Sequence, residues 1–152
     1  HILACDNLVL DKNMDSLFEF VHDAELVVWV TRNYATALNQ KSQFSWVAID
    51  ENQQVKNLFV KADNVKPDNL MIIGNFSFRT KAIALQLIER VLKKEKYTSS
   101  EAYLDWVVQE ALDAAYRVVA FEIEKFWAIG TPDEFRTLNY WSEVLSDGKV
   151  KR

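Results

Sequence analysis

The stretch FWAIGTPDEF, residues 126–135, decides how this chain is read. An apolar strand end runs through Phe126 and Trp127 into Gly130, and Thr131-Pro132-Asp133-Glu134 opens a helix. Thr131 is an N-cap candidate. Pro132 stands at the first helical position, where its missing N–H is not needed, and Glu134 completes a capping box. A strand that turns straight into a capped helix points to a chain that mixes the two element types. The helix is expected to bury Phe135, Leu138, Trp141 and Leu145.

Working outward from the junction, Arg117–Trp127 is expected to be a strand with Val119, Phe121 and Ile123 on one face. Ser99 or Ser100 starts a helix carrying Val107, Val108, Ala111, Leu112 and Ala115. An earlier helix sets Ala84, Leu87, Ile88, Val91 and Leu92 at i, i+3, i+4, i+7 and i+8, an apolar stripe, and ends in Lys93-Lys94-Glu95-Lys96. Leu70–Phe78 reads as a strand interrupted by Gly74, and Phe44–Ile49 and Val55–Lys61 as a hairpin about the polar turn Asp50–Gln53. Leu26–Val30 predicts a strand buried on both faces. Asn13 or Asp15 caps a helix through Leu17, Phe18 and Val21, and Ile2–Cys5 is a short strand ending in Asp6-Asn7. The expected fold is α/β, a mixed, mainly parallel sheet flanked by helices.

At 152 residues the chain fits one domain and can bury about 68–70% of its unfolded surface. Apolar content of 49% and charged content of 26% suit a water-soluble globule. A net charge of −4 provides no broad basic field, which argues against nucleic acid as a partner. The single cysteine, Cys5, excludes an internal disulfide and fits a reducing, cytoplasmic setting. No apolar run approaches ~18–20 residues, so no membrane span is expected, and no signal peptide is read.

Few residues suggest chemistry on their own. Asp6 follows an apolar strand, a place where α/β sheets bind ligands, and could hold Mg²⁺ or simply form an Asx-turn. Lys61 ends the second hairpin strand, either solvated or set to meet a phosphate. Gly74 marks either a bulge or a close approach of ligand or backbone. One Cys and two His give no credible zinc site, and three glycines build no phosphate cradle. The five tryptophans are read as core.

In order along the chain, four stretches resemble sugar-phosphate nucleotidyltransferases, the nucleotide-sugar pyrophosphorylases. LACDNLVL resembles a strand ending in Gly-Asp-Asp or Gly-Asp-Asn; FSWVAIDENQQVKNLFVKA resembles the stretch that closes on Glu-Lys-Pro. MIIGNFSFR resembles a strand lining the sugar pocket, and YLDWVVQEALDAAYRVVAFEIEKFWAIGTPDEF resembles the closing segment. TPDEFRTLNYWSEVL is especially similar to the subset associated with capsule and surface polysaccharides. The resemblance implies a nucleotide-diphospho-sugar transferase-like, Rossmann-like fold. It also implies that Asp6 binds the metal, Mg²⁺; that Lys61 meets the phosphate of a sugar 1-phosphate; and that Ser45, Gly74 and Asn75 lie on the sugar side. The partners implied are a nucleoside triphosphate and the sugar 1-phosphate, and the family allows a homo-oligomer.

The chain departs from the family in three places. Val60 stands where a sugar-binding Glu precedes the Lys, Phe44-Ser45 replace a Tyr-Gly pair, and Ala128 replaces a second metal-binding Asp. Residues 1–148 are expected to be the C-terminal portion of a nucleotidyltransferase domain, with 149–152 a polar tail. The family's triphosphate-gripping loop is expected upstream of His1, and the isolated piece is expected to be inactive. Two rivals stand beside this reading: a non-catalytic nucleotidyltransferase-like domain, and a metal-dependent glycosyltransferase, whose Asp-x-Asp the run Asp6-Asn7-Leu8 does not supply.

Overall fold

The six residues Leu26–Thr31 are all buried, and they organise everything around them. A computed structural model describes residues 1–32, 34–98 and 103–147. Its strands are β1 (Asn7–Leu10), β2 (Leu26–Thr31), β3 (Trp46–Ile49), β4 (Val55–Phe59), β5 (Leu70–Phe78), β6 (Val118–Glu122) and β7 (Lys125–Ala128). Its helices are α1 (Leu17–Asp23), α2 (Ala35–Asn39), α3 (Lys81–Lys93), α4 (Glu95–Thr98), α5 (Trp106–Asp113) and α6 (Pro132–Asp147). Five strands form a sheet in the order β4-β3-β5-β2-β6, and β1 and β7 form a separate two-stranded sheet.

Strand alternation divides the core into two layers. Val28, Val30, Ile72, Phe76 and Ala120 face Leu87 and Val91 of α3 and Val107, Val108 and Ala111 of α5. Val27, Trp29, Ile73, Val119, Phe121 and Ile123 face the other way, onto Leu17 of α1 and onto Val9 and Phe126 of the small sheet. A strand covered on both sides favours apolar side chains, and LVVWV is an unbroken apolar run. Among the described residues, no helix is long and apolar enough to cross a membrane.

The mixed sheet flanked by helices is as expected, but its pairing is mostly antiparallel rather than mainly parallel. Only β2–β6 is parallel; β4–β3, β3–β5 and β5–β2 are antiparallel. Only the β3–β4 reversal has a local reason. The turn after β3 is closed by Asp50, whose Oδ1 accepts from the N–H groups of Asn52 and Gln54, and so short a turn can only reverse the chain.

Three further expectations change. Ile2–Cys5 is not a strand: Ile2 alone bridges to Phe76, and the strand lies at Asn7–Leu10, so Asp6 precedes a strand instead of ending one. A continuous ladder is denied to residues 2–5 by a bulge in β5, where Trp29 of β2 faces Ile73, Gly74 and Asn75 together. Arg117–Trp127 is two strands, because the chain leaves the large sheet at Ile123-Glu124 and β7 then pairs with β1. Of the four residues expected to be buried by the final helix, only Leu138 is even half-buried. Phe135, Trp141 and Leu145 are 51%, 54% and 73% exposed, because α6 projects from the junction and its main packing among the described elements is against β7. Trp127 and Trp141 are therefore surface residues, whereas Trp29 and Trp46 are core. The expected helix start at Ser99 or Ser100 lies outside the described residues, as do Gly148 and the tail 149–152.

Candidate functional site

A cleft of about 450 Å³ opens where the segment 4–7, the chain entering β3, the bulge of β5 and the β7–α6 junction meet. The structure brings four of the five residues singled out from the sequence into its lining: Asp6, Ser45, Lys61 and Gly74. Asn75 does not line it. Its buried side chain accepts from the Ala4 N–H at 2.8 Å and so ties down the strap that carries Asp6.

Asp6 is held from both sides. Upstream, Ile2 exchanges two 2.8 Å backbone hydrogen bonds with Phe76; downstream, the Asn7 side-chain amide donates to the Ile73 carbonyl at 2.7 Å. The Asp6 carbonyl accepts from the Ile129 N–H at 2.8 Å. Two glycines make room for this strap. A Cβ on Gly74 would lie 3.2 Å from the Ala4 Cβ, and one on Gly130 would lie 3.0 Å from Asp6 Oδ2. Gly74 is thus both bulge and close approach, with φ +81°. At Gly130 the bare backbone leaves room for the Asp6 carboxylate, so the junction that decides the fold also forms part of the cleft wall.

The junction is capped as its sequence requires. The Glu134 N–H donates to Thr131 Oγ1 at 3.2 Å, and Glu134 Oε2 accepts from the Thr131 N–H at 2.9 Å. Glu134 Oε1 also accepts from the Tyr34 hydroxyl at 2.9 Å, which ties α6 to the aromatic cluster of Tyr34, Phe44 and Phe126. Burial, together with the Glu134 hydrogen bond, pushes the Tyr34 hydroxyl up from its ordinary pKa.

Lys61 sits in the left-handed region at φ +49°, an unusual conformation for a residue with a side chain. Its ammonium donates to the Gln43 carbonyl and lies 5.0 Å from the centre of the Tyr103 ring. Sequence reasoning missed Asp105, which lines the same cleft and whose Oδ2 accepts from Ser45 Oγ at 2.7 Å. An Asp before an apolar helix reads as an ordinary cap, so nothing local separates it from a structural residue. Burial pushes the Asp105 carboxyl up; the Ser45 hydrogen bond and the nearby Lys61 charge oppose that rise.

The cleft thus holds three carboxylates, Asp6, Glu134 and Asp105, and one ammonium, Lys61. Glu134 is occupied by the cap and Tyr34, and Asp105 is engaged at one oxygen by Ser45. Asp6 is exposed, and no hydrogen bond or ion pair engages its carboxylate among the described residues. Nor does any group of three or more His, Cys, Asp or Glu side chains among them converge as a metal cage. A single uncommitted carboxylate is a donor set that Mg²⁺ can use, since that ion takes one or two and completes its shell with phosphate oxygens and water.

No protein-family model and no curated protein sequence matches the chain. Among solved structures it is similar to the nucleoside-diphosphate-sugar pyrophosphorylase of Vibrio cholerae RC9, with a TM-score of 0.65 and 14% identity over 87% of this chain and 52% of that one. It is also similar to a CMP:2-keto-3-deoxy-manno-octonic acid synthetase solved with CTP, with a TM-score of 0.63 and 12% identity over 87% and 56%. A third is the inositol-1-phosphate CTP transferase of T. maritima, with a TM-score of 0.61 and 17% identity over 97% and 55%. At these identities the likeness shows the fold, which is nucleotidyltransferase-like. The chain spans about half the length of each of these structures.

Proposed function

We propose that this chain belongs to a nucleotidyltransferase that joins a nucleoside triphosphate to a sugar 1-phosphate, giving a nucleotide sugar and pyrophosphate. The observation that carries the reading is the lining of one cleft by Asp6, Ser45 and Lys61 within a nucleotidyltransferase-like fold. A phosphate oxygen of the sugar 1-phosphate attacks the α-phosphorus, a new P–O bond forms, and the bond to the bridging oxygen breaks as pyrophosphate leaves. Such a displacement is accelerated by positioning and charge neutralisation. Lys61, pre-set by Gln43 and Tyr103, meets the sugar phosphate. Asp6 is the residue that would hold Mg²⁺, which when bound offsets charge on the phosphate oxygens. The similarity of TPDEFRTLNYW to capsule-associated members favours a role in surface-polysaccharide synthesis.

The test is pyrophosphate release by the full-length protein, given Mg²⁺, several triphosphates and several sugar 1-phosphates. Release that needs both substrates is expected. Lys61→Ala is expected to raise KM for the sugar phosphate about 10- to 100-fold, the worth of one charge-assisted hydrogen bond. Unchanged kinetics would remove Lys61 from the site. A second reading, a non-catalytic domain that binds sugar phosphates or regulates a partner, is favoured by Val60 and Ala128. Binding with no pyrophosphate from any substrate pair selects it.

A further inference from the structure

Asp105 occupies the N-cap position of α5, where an aspartate ordinarily accepts from the amides of its own helix. Here it makes no such bond. Its carboxylate instead takes the Ser45 hydroxyl, in the cleft that Lys61 also lines. Ser45 is fixed in turn, since its carbonyl accepts from the Ile72 N–H at 2.8 Å and locks the entry of β3 against β5. A carboxylate offers about four acceptor sites. Among the described residues, Ser45 is the only hydrogen-bond donor to this one. Asp105 is half-buried and lines the cleft, so the rest of its acceptor capacity is open to donors that a ligand brings.

We propose that Asp105 is the hydroxyl-recognising carboxylate of the cleft, accepting from adjacent hydroxyls of a phosphorylated polyol whose phosphate meets Lys61. The proposal rests on the reading of the cleft as a sugar-phosphate site and assigns the group that discriminates within that class. Charge sets the orientation: Asp105 repels the phosphate end and Lys61 attracts it, so the hydroxylated end turns to Asp105. A ligand with a phosphate and no hydroxyls leaves the carboxylate unsatisfied and is rejected for that reason.

Calorimetric titration of the full-length protein with glucose 1-phosphate, mannose 1-phosphate and methyl phosphate tests this, methyl phosphate carrying no hydroxyl group on its carbon. The wild type is expected to bind at least one hexose phosphate about tenfold or more tighter than methyl phosphate. Asp105→Ala and the isosteric Asp105→Asn, each checked for folding by thermal melt, are expected to erase that preference while methyl phosphate binds as well or tighter. Lys61→Ala is expected to weaken both ligands. A wild type that binds none of the three, or does not discriminate, overturns the proposal, as does a preference that survives in Asp105→Asn or a parallel loss for both ligands. Hexose phosphate binding without pyrophosphate release would sink the transferase reading and leave Asp105 in its role. Release with an intact preference in Asp105→Asn would do the opposite.

Discussion

A glycine, an aspartate and a lysine carry unusual conditions at this cleft, and the first two each make a separate prediction. Gly74 combines φ +81° with a neighbouring side chain 3.2 Å from where its Cβ would be. Gly74→Ala is therefore expected to cost roughly 1–3 kcal/mol, a fall of several degrees in Tm by calorimetry. An unmoved melt would mean that the strap carrying Ala4 yields freely. Asp105 makes a pH prediction. Burial raises its native pKa above that of the unfolded chain, so the native state holds the proton to higher pH. The contribution of this group to stability is then fully present below the ordinary aspartate range near pH ~4 and is lost as pH rises through the raised native value. Asp105→Asn should be more stable than wild type at neutral pH, with the difference closing near pH ~3.5 in denaturant titrations. The same stability gap at both pH values would show that the carboxylate is not desolvated. Lys61, in a left-handed conformation usually left to glycine or asparagine, is a strained residue kept at a cleft, which is where such strain collects.

At the scale of elements, α6 behaves unlike the rest of the fold. Its cap is complete, yet Phe135, Trp141 and Leu145 are exposed, so tertiary packing adds little to its stability. Thr131→Ala removes about 1 kcal/mol of capping. Because the helix is so loosely anchored, the loss is expected as faster hydrogen exchange in α6, with the Tm of the sheet nearly unchanged. Global destabilisation would mean that the helix is coupled to the core through Glu134 and Tyr34 more strongly than its packing suggests. Leu87 and Val91 of α3 show the contrast: they fill the core against β2 and β5, and Leu87→Ala is expected to cost about 2–5 kcal/mol.

For the molecule as a whole, the decisive feature is charge. A cleft with three carboxylates and one ammonium disfavours a highly charged triphosphate unless a cation enters with it. Under the proposed function, chelating divalent cations is expected to weaken triphosphate binding to the full-length protein by about tenfold or more in calorimetric titration, and Asp6→Asn to reproduce most of that loss. Gly130→Ala should mimic it in part, by displacing the carboxylate that rests over Gly130. Equal affinity with and without divalent cation would remove Asp6 from any metal role.

Local rules were enough to read the capping box at Thr131–Glu134, the hairpin about Asp50, the buried strand at Leu26 and the stripe of α3, because each depends on neighbours a few residues away. The sequence also marked out Asp6, Ser45, Lys61 and Gly74, through ordered motifs rather than through any property of the single residues. Tertiary structure alone decided the rest. It set which strands run antiparallel, left the α6 face uncovered, placed Asn75 behind the cleft and brought Asp105 to Ser45 across 60 residues of chain. A bulge, an edge or a shared cleft is a relation between distant segments, and no local periodicity encodes where two such segments will meet.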